Sequence, residues 1–128
     1  MYWYDVEVYH WSSSKKSNQD FIQAMIDEGN KLGIKHGIYT SYYNWESIVG
    51  LDWDVPAKQG LPLWYAHFDN NPSFSDFAAF GGWSKPDVKQ YEGTHSTCGV
   101  GVDYDWMPAN SADAAPAEAE ESVLFLQE

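Results

Sequence analysis

Arginine is absent from this 128-residue chain, and seven lysines face nineteen acids for a net charge of −12. Such a surface repels phosphate, which argues against nucleic acid or an anionic membrane as a partner. Cysteine is nearly absent too: Cys98 stands alone. An internal disulfide framework and a multi-cysteine zinc centre are thereby excluded, and Cys98 reads as a small buried residue. No apolar run is long enough to span a bilayer, and the residues after Met1 lack the basic and apolar regions of a signal peptide. Four histidines, His10, His36, His67 and His95, are scattered, and His67-x-Asp69 is too thin a pattern for a metal site. No metal and no cofactor are expected. Ser12-Ser13-Ser14 lacks the strand-turn-helix context of a nucleophile elbow and reads as loop. There is no internal repeat.

Aromatic residues are abundant, with seven tryptophans and nine tyrosines. Rings in that number serve as core or as platforms for sugar faces. The opening run Tyr2-Trp3-Tyr4-Asp5-Val6-Glu7-Val8 is aromatic and β-branched, which favours a strand. On a strand, residues two apart share a face, so Asp5 and Glu7 point one way and Tyr4, Val6 and Val8 the other. Neighbouring carboxylates resist ionising together, which raises at least one pKa and supplies an acid and a base to one substrate. That is the equipment of a glycosidase, and equally the solvated acidic face of an edge strand.

The rest of the chain reads as strand, helix, strand and further strands. His10 to Lys16 is a polar loop, and Asn18 is positioned to cap a helix carrying Phe21, Ile22, Met25, Ile26 and Leu32 at helical spacing, stopped by Gly33. Ile34 to Ser41 reads as a second strand and Tyr43 to Val49 as a helical turn ending at Gly50. With a crossover helix of that length the two strands should lie parallel. Asp52 to Gly60 reads as loop, Leu63 to Phe68 as a third strand, Asp69 to Pro72 as a turn. A weak helix capped by Ser73 or Ser75 is expected through Phe80, then short strands over Val88 to Glu92 and Gly99 to Trp106. Alternation in the last strand sets Asp103 opposite Val100 and Val102, adding a third acid. From Met107 the composition turns to Ala, Pro, Ser and acids, the pattern of a disordered tail, and Val123 to Leu126 reads as a fraying terminus.

Asp5-Val6-Glu7, Gly37-Ile38-Tyr39-Thr40-Ser41, Leu63-Trp64-Tyr65-Ala66-His67, Lys89-Gln90-Tyr91 and Gly99-Val100-Gly101-Val102-Asp103 together resemble the ordered motifs of glycoside hydrolase family 25, in its eukaryotic lysozyme branch. The resemblance covers Met1 to Trp106. It implies an α/β fold, a partial TIM-like β/α barrel lacking its first strands, and hydrolysis of the β-1,4 bond between N-acetylmuramic acid and N-acetylglucosamine in bacterial peptidoglycan. It casts Glu7 as proton donor, with Asp5 and Asp103 assisting. Trp64 and Tyr91 stand where the family's sugar-facing aromatics belong, and Trp64, Tyr39 and Tyr91 suit either stacking on sugar rings or filling a barrel core. A covalent Asp adduct and attack by the substrate's own N-acetyl group both remain open.

Two departures accompany the resemblance. Lys89 replaces the aromatic that often precedes Gln-Tyr, and the chain opens at what corresponds to the family's fourth strand, without the earlier strand that carries a further active-site Asp, as a fragment, a truncated gene model or a degenerate paralogue would. An unpaired first strand then offers a route to self-association. Secretion, or residence in a lysosome or phagosome, is what the family implies for location. The other function classes are a non-hydrolysing saccharide-binding module and a structural half-barrel.

Overall fold

The computed structural model describes residues 1–97, 99–109 and 123–124. A six-stranded sheet runs in the order β5-β4-β3-β2-β1-β6, where β1 is Tyr2–Asp5, β2 His36–Thr40, β3 Leu63–Ala66, β4 Val88–Thr97, β5 Val100–Trp106 and β6 Val123–Leu124. All neighbouring pairs are parallel except β4 with β5. Three helices accompany them: α1 Lys15–Leu32, α2 Tyr42–Ile48 and α3 Val55–Lys58. Parallel strands joined through helices make a curled part of a β/α barrel, as expected.

Register divides the side chains between two faces. Tyr4, Ile38, Leu63 and Tyr65 belong to the larger core with Ile22 and Ile26 of α1 and Trp45 of α2. Trp3, Tyr39, Trp64 and Val88 form a separate cluster on the other face, with Met107 packed against it. Asp5 pairs in register with Tyr39, so its side chain joins this second, inner face.

α1 forms where the apolar spacing predicts it, burying Ile22, Ile26 and Gly29. Its cap is corrected: Ser14, not Asn18, accepts the first-turn N–H, from Ser17 at 3.2 Å. Asn18 is instead buried and donates to the carbonyls of Ser12 and Ile48, tying α1 to α2. Gly33 closes the helix in the left-handed region at φ 69°.

Other local expectations also change. α3 replaces an expected loop because Pro56 sits in its first turn, where the missing N–H costs nothing. The helix expected from Ser73 or Ser75 to Phe80 does not form; that stretch holds turns and a bridge between Phe80 and Trp83. Its polar groups are engaged elsewhere, as shown below. The tail from Met107 falls mostly on residues 110–122 and 125–128, outside the described residues, as does Cys98. Val123 and Leu124 lie beside Trp3 and Tyr4. The first strand is therefore flanked on both sides there, which corrects the expectation that it is unpaired. Among the described residues no helix is long and apolar enough to cross a membrane.

Candidate active site

β1 ends at Asp5, so Glu7 stands just past the strand rather than within it. Its backbone is nevertheless fixed. The Val6 N–H donates to the Tyr39 carbonyl at 2.8 Å, Thr40 Oγ1 donates to the Val6 carbonyl at 2.7 Å, and Trp11 Nε1 donates to the Glu7 carbonyl at 2.6 Å. The Val8 N–H reaches Asn44 Oδ1 at 3.1 Å. Four hydrogen bonds, to Tyr39 and Thr40 of β2, Trp11 and Asn44 of α2, thus hold the backbone around Glu7 at the C-terminal end of the parallel strands, the end at which β/α barrels carry their chemistry.

Asp5 is 5% exposed. Burial pushes its carboxyl up to about 8, helped by a hydrogen bond with the Glu7 side chain and by the charge on Glu7. The buried member of the pair keeps the proton, because an anion there has lost most of its hydration. Contact between the two carboxyls has a second consequence. Glycosidase carboxyls that flank a scissile bond stand about 5 Å or more apart, so two in hydrogen-bond contact act from one side of it.

The remaining acid comes from β5. Asp103 and Asp105 are both exposed, and their charges reach Tyr39, whose hydroxyl is raised first by burial and then by Glu7, Asp5, Asp103 and Asp105. Four carboxyls therefore surround one tyrosine. Tyr39 donates to Gln90 Oε1 of β4. Trp64 Nε1 donates to Asp105 Oδ1 at 3.0 Å, which fixes the indole against β5. Asp105 and Gln90 are the members that the sequence reading missed, although Asp105 is two residues from Asp103 on the same strand and shares its face by simple alternation.

The aromatic residues divide differently from the expectation. Tyr39 and Trp64 are each 8% exposed and pack edge to face with ring centroids 4.7 Å apart, while Trp3 meets Trp64 at 5.6 Å. They form the floor beneath the carboxyls and offer little open ring. Tyr91 is at a β-bulge between Gln90 and Glu92, stacked on Tyr104 at 6.1 Å. Trp3 Nε1 and Asp5 Oδ1, two residues apart on β1, are buried without a hydrogen-bond partner among the described residues.

Lys89 is fully buried, on the face of the sheet opposite Gln90, and so does not take the position of a sugar platform. Its ammonium binds Asp69 at 2.8 Å, Asp76 at 2.7 Å and the carbonyls of Asn71 and Ser73 at 2.9 and 3.1 Å. His67 and Tyr65 also bond Asp76. Burial alone would raise Asp76, but the bonds from Lys89, His67 and Tyr65 outweigh it and hold the carboxyl at about 2. His67, Asp69 and Asp76 have ligand atoms within 4.8 Å of one another, a grouping that could hold a metal ion, and the Lys89 ammonium already supplies a positive charge to both carboxylates. These bonds engage the loop in which a helix was expected.

A family model described as lysozyme-like protein 1 matches residues 1–91. A probable GH family 25 lysozyme 3 from Dictyostelium discoideum is 42% identical over 120 residues, covering 91% of this chain and 24% of that protein. Lysozyme-like protein 5 of Caenorhabditis elegans is 43% identical over 107 residues, covering 83% and 49%. The muramidase from Trichobolus zukalii shares the fold, with a TM-score of 0.64 at 24% identity, over 87% of this chain and 51% of that one. The chain thus spans about half, or less, of the length of the proteins it matches. With the ordered motifs, the partial barrel and the acid pair at its strand ends all in agreement, the chain belongs to the lysozyme-like family whose relatives include the glycoside hydrolase family 25 lysozymes.

Proposed function

We propose that the protein acts as a muramidase, cleaving the β-1,4 bond between N-acetylmuramic acid and N-acetylglucosamine in bacterial peptidoglycan. The observation that carries the reading is the Asp5–Glu7 contact, a carboxyl pair that retains a proton to about pH 8. Glu7, the less buried member, faces the substrate: as the proton held on Asp5 crosses their hydrogen bond to Glu7, Glu7 passes a proton to the glycosidic oxygen, and the C–O bond breaks as the O–H bond forms. Both carboxyls are then anionic beside a sugar that is gaining positive charge at its anomeric carbon. The repulsion that kept the proton on the free pair becomes attraction for the oxocarbenium-like transition state, which is stabilisation specific to that state.

Because Asp5 and Glu7 act from one side, the group that meets the anomeric carbon from the other is either a β5 carboxylate, Asp103 or Asp105, or the N-acetyl oxygen of the substrate. An acidic compartment such as a lysosome or phagosome suits the chemistry, since acid keeps the pair protonated and reduces repulsion between an acidic protein and an anionic wall.

The experiment is digestion of purified peptidoglycan followed by mass spectrometry of the released ends. Reducing N-acetylmuramic acid ends support the reading. Saccharide binding without any new reducing ends would favour the binding-module alternative instead.

A further inference from the structure

Phe68 is 61% exposed and follows β3 by two residues. A lone exposed ring is ordinary, but this one is held in place. The His67 N–H donates to the Gln90 carbonyl at 3.0 Å and the Asn70 N–H to the Tyr91 carbonyl at 3.1 Å, so the segment on either side of Phe68 is laced to β4. Beneath the ring lies Gly93, where a Cβ would come within 2.9 Å of Phe68 Cζ. A side chain there would push the ring off the strand. Immediately afterwards the loop is fastened from below by the buried Lys89 ammonium through Asp69, Asn71, Ser73 and Asp76.

The placement matters because β1 and β3 are parallel members of one sheet. Glu7 lies just beyond the C-terminal end of β1 and Phe68 just beyond that of β3, so both open onto the same end of the partial barrel. One strand separates them, which at about 4.8 Å per strand spacing puts the two strand ends about 10 Å apart. An oligosaccharide spans that distance and a single sugar ring does not. The buried floor rings Tyr39 and Trp64 leave little face to offer, whereas Phe68 presents an open one.

We infer that Phe68 is a saccharide-stacking platform, a subsite about two strand spacings from the acid pair that takes the apolar face of an uncharged N-acetylated sugar. The inference rests on the muramidase reading and names a binding contact within it. Uncharged sugars are favoured because Glu7, Asp103 and Asp105 give this end of the sheet a negative field that repels anionic rings. Phe68 contacts the ligand equally before and during bond cleavage, so its contribution falls on binding and not on the chemical step.

The test uses the full chain and four proteins: wild type, Phe68→Ala, Phe68→Trp, and Leu32→Ala as an exposed control at the end of α1. Affinity for a soluble tetrasaccharide of β-1,4-linked N-acetylglucosamine is measured by calorimetry, and KM and kcat on solubilised peptidoglycan are measured beside it. Phe68→Ala is expected to weaken binding about tenfold and raise KM to match, with kcat within twofold. Phe68→Trp restores both, and Leu32→Ala changes neither. Unchanged affinity in Phe68→Ala while the wild type still cleaves would overturn the subsite and leave the muramidase reading standing. Loss of binding that Phe68→Trp does not restore, accompanied by a lower melting temperature, would show that Phe68 is a packing residue. A wild type that neither binds the tetrasaccharide nor releases reducing ends would overturn both.

Discussion

Replacing Asp5 by Asn should make the protein more stable at neutral pH while leaving it unimproved in mild acid. The reason is a linkage between proton binding and folding. In the folded chain the Asp5 carboxyl is raised from 3.8 to about 8, first by burial and then by Glu7. Between those values the folded state holds a proton that the unfolded state has released, so stability falls as pH rises. At about 1.4 kcal/mol per pH unit, roughly 4 kcal/mol is lost between pH 5 and pH 8. Domains of this size have about 5–15 kcal/mol in total, so the change is readily measured. Two other groups have different windows. Burial lowers His36, which therefore favours the folded state more as pH rises toward 6.5, and Asp76, held at about 2, acts only below the ordinary carboxylate range. Both are present in the two proteins, so subtraction removes them. Urea denaturation of wild type and Asp5→Asn at pH 5 and pH 8 gives the difference directly. The variant should gain about 4 kcal/mol on the wild type across that interval. Parallel stabilities at both pH values would refute a buried, proton-retaining Asp5.

Lys89→Met should cost about 3–5 kcal/mol, because it leaves Asp69 and Asp76 without their buried cation, and adding Asp76→Asn should recover part of the loss in the same denaturation assay. Gly37→Ala puts a Cβ within 2.5 Å of the Trp3 ring and 2.9 Å of the Pro62 carbonyl, so a loss of about 1–3 kcal/mol is expected, visible as a lower melting temperature. Activity on whole cell walls should be greatest in mild acid, and at pH 7 added salt should partly rescue it, since the chain carries −12 and the wall is itself anionic. A pH profile at two ionic strengths checks this; inhibition by salt at pH 7 would contradict it.

Much of the partial barrel was legible because its signals are periodic. The spacing of Ile22 and Ile26 marks α1, and the alternation through Tyr4 and Val6 marks the inward and outward faces of β1. The acid pair was legible for the same reason, as two carboxyls separated by one residue. What could not be read is the proton's location. It depends on Asp5 being 5% exposed, a property of β2 packing alongside and not of the D-x-E spacing. Lys89 was legible only as a replacement for an aromatic, whereas in the fold two aspartates twenty and thirteen residues earlier converge on its ammonium. The same convergence removed the expected helix before Phe80. Tyr39 and Trp64 share the sheet face of Asp5, but their closure by Trp3 needed three strands in register.

Glu7→Gln tests the central claim most directly. The amide keeps the shape of the side chain and can accept a hydrogen bond from protonated Asp5, but it has no proton to give to a glycosidic oxygen. Release of reducing ends from peptidoglycan at mild acid pH should fall at least a thousandfold, while affinity for the β-1,4-linked N-acetylglucosamine tetrasaccharide stays within about threefold of wild type. Turnover by Glu7→Gln at a rate near that of the wild type would show that the proton comes from elsewhere, and the assignment of the Asp5–Glu7 pair would fall with it.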